Sequence, residues 1–246
     1  MLMDLYFKEM KKVLEKIEIT QREPLKKAAG VIAGALVNGN LWHILDTGHM
    51  LMHEGVGRTG GMMALRPIRI TCEVDNPTRA RNVPGKAKVY YTQVDGFAEF
   101  VLKRANVEAG DVLMIGSVSG YEAFPVQAAQ IAKGMGVHTI AITAVAYSSQ
   151  LASKHSSGKR LFEMCDIALD NCAPMGDALV NVDDLGMRVG PASGIGAAYV
   201  LWALECCVIE ELISRGKNPS VYISNHMPGA GKHNADALDA YDKLGY

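Results

Sequence analysis

Two short stretches of this chain carry residue types suited to chemistry on a small polar ligand. The first is "DTGH", residues 46–49, and the second is "GSVSGYEA", residues 116–123. In the first, Thr47, Gly48 and His49 form a turn that leads into a helical pattern; in the second, the hydroxyls of Ser117 and Ser119 flank a turn and Gly120 lets backbone approach an anion. Backbone N–H groups at the start of a helix favour negative charge. His49 and His53 stand four residues apart, on one helical face, with Glu54 beside them. Histidines at that spacing can hold a divalent metal, with zinc the candidate, although no cofactor is expected.

A third pattern attracts attention for the wrong reason. Gly55, Gly57 and Gly60 spell G-x-G-x-x-G, with Asp75 downstream at the spacing of a ribose-binding acid. A dinucleotide fingerprint needs its first glycine immediately after a strand, so that the pyrophosphate meets the next helix. Here the preceding strand ends near Asp46, nine residues before Gly55. Gly55, Gly57, Gly60 and Gly61 are therefore expected to serve close helix packing and helix termination. Ser119-x-x-Glu122 also reads as a capping box, and Glu122 would place a negative charge where a phosphate would sit. Glu205 interrupts an apolar stretch and must be paired or functional, because an unpaired buried carboxylate is costly.

These residues need a scaffold, and the hydrophobic pattern supplies one. Short apolar runs at 41–46, 67–74, 111–118, 138–145 and 166–171 are five strand candidates bounded by Gly, Pro, Asn or Asp. Helical patterns cover 3–18, a segment from Pro24 to 38, and 50–63, 91–106, 121–135, 156–164 and 192–214, with a tail helix from about 234. Apolar strands alternating with helices predict a three-layer α/β/α sandwich around a five-stranded parallel sheet, and the order expected is the flavodoxin-like 2-1-3-4-5. That order brings the turns after the first and third strands to one switch point, where a ligand crevice forms. The organisation expected is a single domain over 1–246, with an N-terminal helical extension (1–40) and a C-terminal tail (217–246). Residues 74–91 carry Arg79, Arg81, Lys86 and Lys88 in a long loop, either a solvated connection or a basic lid, and 172–190 reads as irregular.

Composition narrows the partners. A formal net charge of −1 offers no global field for nucleic acid or anionic lipid. The longest apolar run, "IGAAYVLWALECCVI" at 195–209, carries Glu205 and falls short of the roughly 20 residues a membrane span requires. The N-terminus shows no secretory pattern, so a cytoplasmic location is expected. The five cysteines contain no C-x-x-C pair and read as reduced and structural.

The motifs resemble the SIS (sugar isomerase) domain family, and within it a bacterial group similar to phosphoheptose isomerase. "SVSGYE" resembles the S-x-S-G-x-T loop that binds phosphosugars, and "DTGHM…HEG", residues 156–180, "GPASG" (190–194) and "SNHMPGAGKHN" (224–234) extend the likeness over nearly the whole chain. The resemblance implies a sugar or sugar-phosphate ligand and aldose–ketose isomerisation through an enediol, which needs a base and an acid. It assigns Glu54 as base, with His226 and His49 as further catalytic candidates. The binding residues it implies are Thr47, Gly48, Ser117, Ser119, Gly120, Tyr121, Ser148 and His233. It further implies a homodimer or homotetramer, with the N-terminal helix and the 192–214 helix as interface, and a site to which a neighbouring copy contributes. Met50, Glu122, His226, Gly231 and Lys232 depart from the family pattern by removing or inverting polar contacts. Those departures keep open a non-catalytic sugar-phosphate sensor or scaffold, and an amino-sugar ether lyase shares the fold.

Overall fold

The sheet is built from strands that read as almost continuous apolar runs because helices cover both of its faces. In the computed structural model, which describes residues 1–48, 51–72 and 90–246, the chain begins with α1 (Leu2–Thr20) and α2 (Arg22–Val37). It continues through β1 (Trp42–Asp46), α3 (Leu51–Glu54), β2 (Leu65–Pro67), α4 (Phe97–Arg104), β3 (Val112–Gly116), α5 (Ala123–Gly134) and β4 (His138–Thr143). Then come α6 (Val145–Ser148), α7 (Leu161–Met164), β5 (Ile167–Asp170), β6 (Ala178–Val182), β7 (Met187–Pro191), α8 (Ser193–Ser214) and α9 (Ala230–Leu244).

The five parallel strands lie in the order β2-β1-β3-β4-β5, as the sequence predicts. Their register places Ile44 beside Met114, Met114 beside Ile140, and Ile140 beside Ile167. Alternation then divides the core in two. Trp42, Ile44, Met114 and Ile140 join α1, α2 and α8 on one face. Leu45, Leu113, Ile115 and Ala141 join α4 and α5 on the other. The N-terminal extension is part of the core, with Met10, Val13 and Ile17 of α1 and Ala28, Ile32 and Leu36 of α2 buried in the first cluster. Among the described residues no helix is long and apolar enough to cross a membrane.

Several elements differ from expectation, each for a local reason. The helix predicted over 50–63 is only the four-residue α3. Gly55 closes it by donating its N–H to Leu51 O, and Gly57 and Gly60 take left-handed φ values of 69° and 83° that end any helical path. A Cβ on Gly55 would collide with Leu201 of α8, and one on Gly61 would lie 3.2 Å from the Trp202 ring, so the string packs against a helix rather than a cofactor. β2 stops at Pro67, whose missing N–H suits an edge strand, so it begins earlier and is shorter than 67–74; residues 73 and 74 lie outside the described residues. The helix predicted over 91–106 begins only at Phe97, after Gly96 at φ 76°. Only Leu161–Met164 of the 156–164 pattern is helical, since Ser153, His155 and Ser157 bond one another and the backbone instead. The irregular stretch at 172–190 folds largely into the antiparallel β6–β7 hairpin, anchored to α1 where Tyr6 donates its hydroxyl to Pro191 O at 2.9 Å.

Leu204 of α8 is fully buried in the cluster that α2 also enters, whereas Ile213, two turns later, is 59% exposed. Leu204→Ala should cost about 2–5 kcal/mol in equilibrium urea unfolding, and Ile213→Ala should stay within about 0.5 kcal/mol of the unmodified chain. Equal losses would contradict this placement of α8.

Candidate functional site

The two turns meet. Thr47, just past β1, donates both its N–H (2.9 Å) and its Oγ1 hydroxyl (3.0 Å) to Gly116 O at the end of β3. Asp46 shapes the same turn: Oδ1 accepts the Gly48 N–H at 3.0 Å and Oδ2 accepts the Leu51 N–H at 3.1 Å, which caps α3. The Asp46 carboxylate also lies over Gly116, where a Cβ would sit 2.5 Å from Oδ1. Glycine at 116 is therefore a requirement of the close approach between the turns.

The second turn is held from below. Thr143 Oγ1 and the Ala144 N–H both donate to Val118 O, and the Leu161 N–H donates to Gly120 O at 2.7 Å. Gly120 has φ 57°, and a Cβ there would meet Thr143 Oγ1 at 2.9 Å and Ser148 Oγ at 3.1 Å. Ser117 is only 9% exposed, and its hydroxyl lines the space between the turns without a partner among the described residues. Ser119 opens on the same space.

That space is a cavity of about 910 Å³, lined by both turns, the start of α5 and the start of α8. Three features of its wall escaped the sequence reading. Lys154 reaches the cavity with its Nζ 2.7 Å from Glu122 Oε1 and 4.7 Å from the Tyr121 ring centroid, and its partners raise its pKa, the Glu122 hydrogen bond most. Asp177, at φ 64°, caps α8 across the hairpin: Oδ1 accepts the N–H groups of Ala192 and Ser193, and Oδ2 accepts the Ser193 hydroxyl at 2.7 Å. Tyr147 completes this end of the wall. Both contacts join residues distant in the chain, 32 apart for Glu122–Lys154 and 16 apart for Asp177–Ser193, so no local pattern announces them.

The capping box expected at Ser119 and Glu122 does not form. Glu122 is itself the residue before α5, with extended ψ of 148° and no side-chain capping bond, so the helix begins three residues later than the predicted box would require. Among the described residues the N–H groups of Ala123 and Phe124, the two donors of a first turn whose third residue is Pro125, have no side-chain acceptor, and all three residues line the cavity.

Of the residues singled out from sequence, Thr47, Gly48, Ser117 and Ser119 line the cavity. Gly120 and Tyr121 shape it from behind, the one by its left-handed turn and the other beneath Lys154. Ser148 is fully buried under the Gly120 turn and does not line the cavity. Glu54, at the end of α3, is absent from the wall and faces Arg58 at 3.6 Å. His226 and His233 are exposed, one before α9 and one within it. His49 and the 74–89 part of the basic loop lie outside the described residues. His53 is exposed on α3, and among the described residues no three His, Cys, Asp or Glu side chains converge as metal ligands.

An open parallel sheet with a crevice at the turns after its first and third strands defines a doubly wound α/β ligand-binding protein. Residues 5–144, from α1 to the end of β4, match the SIS domain family, and the chain belongs to that family. It is 32% identical over 248 residues to a UPF0309 protein of Caldanaerobacter subterraneus, covering 98% of each chain. A UPF0309 protein of Brucella anthropi is 31% identical over 240 residues, covering 97% of this chain and 95% of the relative. Among solved structures, a phosphoheptose isomerase from Neisseria gonorrhoeae superposes with a TM-score of 0.51 at 19% identity, over 83% of this chain and 95% of that one. One from Francisella tularensis gives 0.50 at 14% identity, over 86% and 96%. At these identities the structural likeness establishes the fold.

Two glycine substitutions separate the crevice from its surroundings. Gly116→Ala must push Asp46 aside and is expected to cost about 1–3 kcal/mol, measured by denaturant unfolding. Gly134→Ala, where a Cβ meets nothing within 4 Å, should be neutral or slightly stabilising. A neutral Gly116→Ala would show that the turns do not depend on that contact.

Proposed function

We propose that the cavity binds a sugar phosphate and that the protein interconverts its aldose and ketose forms through an enediol. The observation that carries the binding reading is the Ser117 hydroxyl, which lines the cavity without a partner among the described residues, beside the Ala123 and Phe124 N–H groups at the start of α5. Hydroxyls, first-turn amides and an ammonium are the donor set that a phosphate requires. Ser117, Ser119 and the α5 amides supply most of it. Lys154 adds the charge, drawn partly from Glu122. Their ion pair is exposed and screened by solvent, so a phosphate competes for the lysine readily. Thr47, Tyr147 and Ser193 then face the sugar.

For the proton transfer, Glu54 is the base we favour. Its contact with Arg58 is long and exposed, leaving the carboxylate available. Because Glu54, His226 and His233 do not line the cavity of their own chain, we propose that the acid and base groups complete a site in a homodimer or homotetramer. The apolar residues that α1 and α8 leave exposed, Leu2, Met3 and Phe7 on the one and Ile195, Tyr199 and Ile213 on the other, support an interface there. The position of Glu54, His226 and His233 off the wall also supports a second reading, a sugar-phosphate sensor without catalysis.

A thermal-shift panel of phosphorylated and free sugars identifies ligands, with roughly 2.7 kcal/mol of stabilisation expected at a hundredfold excess over Kd. With a stabilising ligand, solvent deuterium should enter the carbon next to the carbonyl. Glu54→Gln should retain binding while that exchange falls on the order of 10²-fold or more. Stabilisation without exchange in the unmodified protein would leave the sensor reading standing and end the isomerase one.

A further inference from the structure

Glu205 lies in the middle of α8, makes no ion pair among the described residues, and is 1% exposed. Its Oε2 accepts the Met62 N–H at 2.8 Å, while Oε1 is buried with no hydrogen-bond partner among the described residues. Neighbouring residues of α8 grip the same segment: Leu201 fills the space above Gly55, and the Trp202 ring lies against Gly61. The segment is in turn stitched to the C-terminal tail. Met62 bridges Val221, Met63 N–H donates to Ser220 O, Tyr222 N–H donates to Gly61 O, and Gly60 N–H donates to Tyr222 O at 2.7 Å. One residue before Gly55 stands Glu54, and four after Tyr222 stands His226.

Charged groups on the elements packed around α8 are engaged elsewhere. On α1 and α2, Glu18 accepts the Tyr199 hydroxyl and Lys26 pairs with Glu23. On α3, Glu54 pairs with Arg58 and His53 is exposed. At the ends of β4 and β5, His138 is exposed and Asp170 accepts the N–H groups of Val145 and Cys172. Arg66 lies over the Tyr241 ring, Lys217 over the Tyr246 ring, and Arg215 bonds Glu211 and Gly30 O. Burial therefore dominates, and it pushes the Glu205 carboxyl up to about 7 against the opposing effect of the Met62 amide.

We infer that Glu205 is a positioning residue that, while protonated, clamps segment 55–63 and the tail bonded to it against α8, and that loss of its proton to solvent loosens both together. The ionised carboxylate has one donor for two oxygens and no counter-ion, and it relieves that cost by admitting water to Oε1, which parts the segment from the helix. The consequence for Glu54 and His226 rests on the isomerase reading; the clamp does not.

The test is amide hydrogen exchange by NMR on the full chain without ligand, corrected for intrinsic rates. A group protonated in the closed state with a pKa near 7, and ionising at about 4.5 when opened, makes protection fall about tenfold per pH unit between those values and level off above. Met62 and Tyr222 amides should both follow that profile, and in Glu205→Gln both should be flat. Protection independent of pH in the unmodified chain, or the same slope in Glu205→Gln, overturns the inference. Should that variant fail to fold, the side-chain carboxyl carbon of Glu205 in the unmodified protein decides: a midpoint near 7 supports the clamp and one near 4.5 rejects it. Because no sugar is present, a failure here is distinct from failure of the proposed function.

Discussion

The paired donation from Thr47 to Gly116 O holds the crevice together. Parallel strands end with their carbonyls facing open space, and here one such carbonyl takes two donors from the neighbouring strand's turn. That cross-link sets the spacing between the turns, and Asp46, seated over Gly116, prevents them from closing on each other. The strand order beneath supplies the opening, since helices leave β1 and β3 toward opposite faces of the sheet.

Carboxylates around this crevice illustrate how surroundings decide a charge's role. Glu122 is exposed and shares a lysine, so it costs little and moderates the positive charge offered to a ligand. Asp177 is consumed by capping α8, which fills that helix start with the protein's own anion. Glu205 has neither cation nor full hydrogen bonding and keeps its proton to a higher pH instead. Three acids of similar intrinsic strength thus serve as a shared partner, a cap and a clamp.

Much of the architecture was legible because it depends on short-range patterns. The apolar runs of β1, β3 and β4 announce strands buried on both sides, and the ends of α8 fall within a residue of the predicted 192–214. The strand-end turns at 47–48 and 117–120 were legible too, because hydroxyls and glycine between a strand and a helix are a local signal. The helix predicted over 50–63 failed because helical periodicity was weighed above four glycines, two of them in left-handed conformations. The β6–β7 hairpin lacks a clean alternation, its burial coming from α1 rather than from the sheet.

Sequence alone determined the fold class, since periodicity encodes which residues must be buried and where the chain turns, and the family was legible through the resemblance of its motifs. Tertiary structure alone decided which charges meet. Lys154 finds Glu122, Asp177 finds Ser193, and Glu205 finds the Met62 amide across 143 residues. Those encounters are set by how helices settle on the sheet, and ionisation depends on the solvent and partners left at each point in space, which no stretch of neighbouring residues specifies.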